Sequence, residues 1–558
     1  MKNGPNILIG GEAGQGLVTI GELLSKSLVR SGYHIVVTQS YQSRIRGGHN
    51  TYMIRVSTDQ ISAPRESIDI LVALDQNTLT LHQKEVSPNG FILIDEGFWC
   101  AGDVCLKIPY KQLASDRYSN IVALGVLGAL LGIDQEWLLK TLHDFFGKKE
   151  PQVAEENRRV LLDAFAWGSQ KGSSHKLPPP SKSPARMMMN GNEAIALGAI
   201  SAGLRFYSFY PMTPATTIGQ TLAGYAGKMS LVVEQAEDEI AAINMAIGAS
   251  FAGAPSMVGT SGGGFALMVE GVSLAAMTET PVVVIVAQRP GPATGLPTRT
   301  EQGDLNFVLH AGHGEFPRAI FAPGSVEECF HLTRKALFLA EKYQGPMFLL
   351  TDQFLADSSR AVNSFDIDNL PYVQPLDRKP SSSPAYQRFA LTEEGISPRL
   401  VPGFTEHRVV AGSDEHTEGG HLTEDLAVRK VMVEKRLKKA TGILQEVTPP
   451  EFLGDRNPDI LLVSWGSCKG VVLEAAEELG VQGKRVGTLH FSQVWPLVPI
   501  QFVSYLQGAK EVVAIEGNAT GQFAGLIRRE TGFEIKNRIG RYDGLPMTPE
   551  FILRELKK

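Results

Sequence analysis

PSMVGTSGGGFALMVEGVSLAAMTETPVVVIVAQ, Pro255 to Gln288, decides the fold class. Its two ends, PSMVGTS and PVVVIVAQ, are short apolar runs without polar alternation, as expected of strands buried on both faces. An Ala/Gly-rich helical run joins them. A strand–helix–strand unit of this length connects parallel neighbours, because parallel strands need a long crossover. SLVVEQ and PMFLLTD on either side repeat the strand pattern, so an α/β domain is expected over residues 187–358.

The rest of the chain divides around that block. Residues 1–166 open with NILIGG and alternate strands such as HIVVTQ and FILID with helical runs such as NIVALGVLGALLG, which predicts a second α/β domain with a mostly parallel sheet. Residues 167–186, WGSQKGSSHKLPPPSKSPAR, have a linker's composition. Residues 359–458 form a polar, proline-rich connecting segment ending in a charged helix. Residues 459–558, with DILLVSWG, VGTLHFS and EVVAIEGN, read as a third α/β domain.

Bulk properties exclude several classes. The 558 residues, 43% of them hydrophobic, suit several globular domains. A net charge of −6 argues against nucleic acid as a partner, since phosphate binding needs a basic footprint. No apolar run approaches the roughly 20 residues that span a bilayer, so no membrane association is expected. The first residues enter a strand–turn–helix pattern without a signal-peptide pattern, and a cytoplasmic location is expected. The four cysteines, Cys100, Cys105, Cys329 and Cys468, form no C-x-x-C pair. They are expected to be reduced, mostly buried thiols, and scattered cysteines do not hold an iron–sulfur cluster.

Several motifs carry candidate chemistry. GGEAGQG, Gly10 to Gly16, follows the first strand, where glycine backbone and a helix N-terminus suit an anion. Its order reverses the dinucleotide fingerprint and lacks a P-loop lysine, so a purely structural turn is an equal reading. Arg44, Arg46 and His49 lie in the basic loop SRIRGGHN. YPMTPATT, Tyr210 to Thr217, is a stiff loop in which two prolines restrict the backbone around Thr213. QAEDE holds the candidate acid Glu237, with Asp238 and Glu239 beside it favouring an ordinary helix-start role in the helix dipole. Arg289 follows PVVVIVAQ and Arg299 follows GPATGLPT; each suits a bidentate carboxylate, and each suits a solvated surface. His407, Glu415, His416, Glu418 and His421 are dense, yet their spacing matches no closed metal site; a polar loop and no metal are expected.

Taken in order, GNEAIA, YPMTP, QAE, TSGGGF and RPGPATGLPT resemble the alpha subunit of 2-oxoacid:ferredoxin oxidoreductases, a thiamine-dependent family. GHGEFPR and GISPRLVPG also look like that family. The first block resembles its gamma subunit, fused upstream, and the third its second alpha domain, related to the transketolase C-terminal domain. The resemblance implies a thiamine pyrimidine-binding-type domain over residues 187–358, with Glu237 as the acid on the aminopyrimidine and Thr213 beside cofactor and substrate. Tyr210, Thr213 and either Arg289 or Arg299 would bind substrate, Arg299 fitting the spacing of 2-oxoglutarate-type members better. Pro211, Met212, Glu237, Gly262 and Gly263 would line the cofactor, and Gly14, Gly16, Arg44 and Arg46 would contact coenzyme A.

Three departures are visible: Met212 stands for the usual Ile, Ala215-Thr216 for Ser-Ser, and Gly263 for the proline of TSGPGF. A GDG diphosphate motif is absent. The resemblance therefore implies a partner beta subunit that supplies Mg2+ and a four-iron four-sulfur cluster and passes electrons to ferredoxin. The expected reaction is coenzyme A-dependent oxidative decarboxylation of a 2-oxoacid, 2-oxoglutarate first. The rivals are a thiamine-dependent decarboxylase subunit and a non-catalytic scaffold.

Overall fold

The computed structural model describes the chain except for residues 1–3, 43–47, 101–103, 148–150, 173–174, 181–184, 372–385 and 405. It resolves into two compact units. The first holds residues 1–190, 357–365 and 547–558, and the second residues 191–356 and 366–546.

The first unit is built on an eight-stranded sheet. Its strands run in the order Cys105–Ile108, Val86–Asp95, Ile68–Ala73, Asn6–Glu12, His49–Ser57, His34–Ser40, Arg360–Asn363, Arg186–Met189. Asn6–Glu12 pairs parallel with Ile68–Ala73 but antiparallel with His49–Ser57. The strands from His34 onward to the Arg186 edge are antiparallel, so the sheet is mixed where a mostly parallel one was expected. The reason lies in the connections: the link from His34–Ser40 to His49–Ser57 is only eight residues, too short for a crossover helix, and strands joined by so short a link pair antiparallel. The helix Ser119–Leu131 is buried along nearly its whole length and packs on Pro151–Ser169. Contact is close enough that a β-carbon on Gly125 would stand 2.8 Å from the Ala164 Cβ and the Leu161 carbonyl. The C-terminal helix Pro549–Glu555 belongs to this unit, tied by Arg554 and Thr548 to Glu66.

Two cysteines depart from expectation. Cys100 and Cys105 are joined as a disulfide, their Cα atoms 6.6 Å apart, with Cys105 opening the edge strand Cys105–Ile108. Cys329 and Cys468 are free and buried, and burial raises both thiol pKa values.

The second unit carries two sheets. Seven strands run in the order Gln493–Trp495, Ile320–Phe321, Pro346–Asp352, Val282–Gln288, Ser256–Thr260, Phe206–Phe209, Val232–Gln235. Only the Gln493–Trp495 edge is antiparallel. Val282–Gln288 is buried at every position, which is why its sequence shows no alternation. The second sheet runs Glu451–Gly454, Val486–Phe491, Ile460–Trp465, Glu511–Glu516, Asn537–Gly540. One continuous core joins the two, with Val284, Val286 and Phe348 packed in the same cluster as Leu461, Trp465, Phe491 and Phe523.

Candidate active site

Four neighbouring parallel strands of the seven-stranded sheet deliver the candidate residues from their carboxyl ends, where ligand sites of α/β sheets form. Phe206–Phe209 leads into Tyr210–Pro214, and Val232–Gln235 into the three acids. Ser256–Thr260 leads into the glycine turn, and Val282–Gln288 into Arg289.

The Tyr-Pro-Met-Thr-Pro loop is pinned from both sides. The Thr213–Pro214 peptide is cis. Buried Asn192 donates from Nδ2 to the Pro214 carbonyl at 2.8 Å and to Thr217 Oγ1 at 2.6 Å. Arg289 Nη1 donates to the Thr213 carbonyl at 2.7 Å, while the Arg289 Nε is buried without a partner. Tyr210 itself is 40% exposed. Met212 places its sulfur near Thr260 Oγ1.

The three acids have separate fates. Asp238 caps the helix Glu239–Phe251, its Oδ1 accepting from Ala241 N at 2.7 Å. Glu237, just outside the helix, is exposed. Glu239 is 3% exposed, and its Oε1 is buried with no hydrogen-bond partner. That oxygen reaches the glycine turn: a β-carbon on Gly264 would stand 2.4 Å from it and 2.2 Å from Thr260 Oγ1. A buried carboxylate oxygen lacking a donor costs about 1–3 kcal/mol or more unless a ligand supplies one. An aminopyrimidine ring is such a ligand, and the donor set therefore fits the pyrimidine half of thiamine diphosphate.

The loop after Arg289 folds back onto the same turn. Gly295 has φ 52°, and a β-carbon there would stand 1.7 Å from the Pro290 carbonyl, so only glycine closes this turn. Asp304 returns beside Gly262, where a β-carbon would meet its Oδ2 at 2.4 Å. The side chain of Gln288 accepts from Asp304 N at 2.9 Å and donates to the Thr351 carbonyl at 3.1 Å. Burial raises the Asp304 carboxyl to about 6, against the opposing pull of Arg289. Burial likewise lowers the Arg289 pKa.

Arg299 lies elsewhere on this loop, packed against Gly544, with Thr300 N donating to the Gly544 carbonyl at 3.2 Å. Farther on, Gln302 grips the five-stranded sheet: its Nε2 donates to the Trp465 carbonyl at 3.1 Å, and its Oε1 accepts from Gly517 N at 2.7 Å. The third block thus anchors the loop that presents Arg289.

The structure brings Thr213, Met212, Gly262, Gly263 and Arg289 to one end of the sheet and adds Glu239, Asp304, Gln288 and Asn192, which motif reading passed over. Glu239 had a sequence signal. It shares the apolar stripe of its helix with Ala242, Ile243, Ala246, Ile247 and Ser250, a spacing that buries it. Among the described residues no group of three or more His, Cys, Asp or Glu is arranged to hold a metal ion. Glu415 instead pairs with Arg429 and Arg436, and His416 stacks on Phe389.

In the first unit, Gly14 and Gly16 lie on the turn after Asn6–Glu12, both at positive φ, 105° and 79°. Arg44 and Arg46 lie outside the described residues. No described helix is long and apolar enough to cross a membrane.

Known proteins similar to this chain cover almost its whole length. Residues 197–435 match the family described as pyruvate flavodoxin/ferredoxin oxidoreductase, thiamine diP-bdg, and residues 6–167 the family described as pyruvate ferredoxin/flavodoxin oxidoreductase. The 2-oxoacid:ferredoxin oxidoreductase subunit alpha of Sulfolobus sp is 33% identical over 97% of this chain and 94% of its own. The 2-oxoglutarate oxidoreductase subunit KorA of Mycobacterium tuberculosis is 28% identical over 94% and 86%. A solved structure of 2-oxoglutarate:ferredoxin oxidoreductase from Magnetococcus marinus, with 2-oxoglutarate, coenzyme A and succinyl-CoA bound, is similar at 33% identity and a TM-score of 0.93, covering 100% of this chain and 99% of that one. With a third of its residues shared along almost its whole length, the chain belongs to the 2-oxoacid:ferredoxin oxidoreductase family, as an alpha subunit.

Proposed function

We propose that the chain contributes the pyrimidine half of a thiamine diphosphate site to the coenzyme A-dependent oxidative decarboxylation of a 2-oxoacid, 2-oxoglutarate first among candidates. The buried, unpartnered Glu239 carboxylate at the carboxyl end of the sheet carries this reading. Thiamine diphosphate, when bound, supplies a nucleophilic carbon and an electron sink for the 2-oxo group. Glu239 would hold a proton between its carboxyl and the aminopyrimidine nitrogen, in place of Glu237, whose side chain is exposed. Thr213 would orient the substrate from a loop locked by Asn192 and Arg289. Arg289, half-buried and with its Nε unspent, would hold the substrate carboxylate. Arg299, whose stem packs against Gly544, is the second choice for that role.

The partner beta subunit would supply the diphosphate clamp with Mg2+ and the four-iron four-sulfur cluster, with ferredoxin as acceptor. Exposed apolar side chains on the elements that build the site, Tyr210, Val232, Ile240, Leu267 and Leu296, support a covering partner. The 2-oxoglutarate preference rests on the Magnetococcus and Mycobacterium relatives. A cytoplasmic location and the coenzyme A role of Gly14 and Gly16, with Arg44 and Arg46, belong to the same reading. The test is co-purification with the beta subunit, then coenzyme A-dependent viologen reduction across 2-oxoglutarate, pyruvate and branched-chain 2-oxoacids. Reduction fastest with 2-oxoglutarate is expected; no reduction with any 2-oxoacid overturns the reading.

A further inference from the structure

Two opposite charges meet at this site without pairing. Arg289 spends Nη1 on the Thr213 carbonyl and leaves Nε buried and unpartnered. Asp304 is fixed by its backbone N–H to Gln288, the residue before Arg289, and its carboxylate lies over Gly262 without accepting a hydrogen bond. The two feel each other's charge, yet form no direct ion pair. An Arg and an Asp in direct contact ordinarily close into a fork-to-fork bond. Here Thr213 holds one and Gln288 the other, so each remains open toward a third group.

We propose that Asp304 is a specificity-determining partner of Arg289: it takes up a proton as the 2-oxoacid anion binds, and so couples substrate affinity to pH. This rests on the reading of Arg289 as the carboxylate holder. While Asp304 is neutral, the Arg289 charge is undivided and attracts the substrate carboxylate. Once Asp304 ionises, it competes for that charge and repels the incoming anion. By linkage, the bound anion must favour the protonated form of Asp304 to the same degree.

The surroundings set the sign. Burial holds the Asp304 carboxyl at about 6, above its ordinary 3.8, and Arg289 pulls the other way. Glu301, on the same loop, is itself raised by burial and by Asp304. Glu239 reaches the adjoining turn at Gly264, and the N-terminus of the helix Gly262–Met277 adds a positive dipole end. A bound carboxylate adds negative charge and moves the Asp304 titration upward from about 6. Between the free and the bound titration, affinity falls as pH rises, by up to about tenfold per unit, with uptake approaching about one proton per site.

The experiment uses the assembled, thiamine diphosphate-loaded complex and N-oxalylglycine, a 2-oxoglutarate analogue that is not decarboxylated, or oxamate if pyruvate is the better substrate. Calorimetric titration in two buffers of different ionisation enthalpy, repeated from pH 6 to 8, counts protons directly. The wild-type complex should take up a proton and bind more weakly as pH rises. Asp304→Asn should bind with little uptake and a flat pH profile. Wild-type binding without uptake, or undiminished uptake in Asp304→Asn, overturns the proposal; the wild-type measurement decides alone if the variant does not assemble. Arg289→Gln separates the two readings. If it binds the analogue as tightly as wild type, the role of Arg289 fails; if it binds weakly while Asp304→Asn keeps its pH dependence, only the role of Asp304 fails.

Discussion

Arg289 Nη1 lies 2.7 Å from the Thr213 carbonyl, so a residue from one strand end sets the loop at the end of another. Arg289→Lys keeps the charge but loses the planar fork that holds Thr213 and, on the proposed reading, would hold a carboxylate as well. A loss of about 1.5–3 kcal/mol, roughly 10- to 150-fold in kcat/KM, is expected for 2-oxoacid oxidation. Arg299→Lys should change kcat/KM far less. Steady-state viologen reduction with both variants checks the contrast.

Glu239→Gln should abolish most 2-oxoacid oxidation, by about 10²-fold or more, because an amide holds no mobile proton for the pyrimidine. Glu237→Gln should stay within about threefold of wild type, as an exposed side chain off the helix. Equal losses in the two would remove the distinction drawn from burial.

The glycine turn offers a sharper pair. Gly264→Ala places a methyl 2.2 Å from Thr260 Oγ1 and 2.4 Å from Glu239 Oε1, which must displace the carboxylate. Gly263→Ala meets only the Ala293 carbonyl at 3.5 Å, an ordinary contact. The first should lose thiamine diphosphate affinity and activity together, read by cofactor-induced circular dichroism and turnover. The second should retain both.

Glu279 is 1% exposed and sits between Lys435 Nζ at 2.6 Å and Lys439 Nζ at 2.5 Å, both also buried. Burial alone would raise its carboxyl; Lys439 and Lys435 outweigh that and hold it at about 2. Its pKa is depressed on folding, so its contribution is complete above the ordinary 4.5 and is lost as pH falls toward 2. Glu279→Gln should destabilise the chain by about 3–5 kcal/mol at neutral pH, since it leaves two buried ammonium groups with one fewer counter-charge. Denaturant unfolding at pH 7 and at pH stepped down toward 2 checks both statements; the variant and wild type should converge only as pH nears 2.

What the sequence determined by itself was whatever a local pattern enforces. The apolar run Val282–Ala287 reads as a buried strand, and the Tyr-Pro-Met-Thr-Pro loop, the glycine turn and Arg289 follow such strands directly. Tertiary structure decided which polar groups are buried together. Glu237 and Glu239 are two residues apart and chemically alike; helix packing against the sheet exposes one and buries the other without a donor. Asp304 is 15 positions from Arg289 and 42 from Gly262 along the chain, so no local spacing announces their meeting. Sheet direction in the first unit escaped for a similar reason: a strand's own residues do not encode whether its neighbour runs with it or against it, and the connection decides. Burial and charge pairing are properties of the assembled fold, because each depends on atoms that the chain brings close only after the strands have found their order.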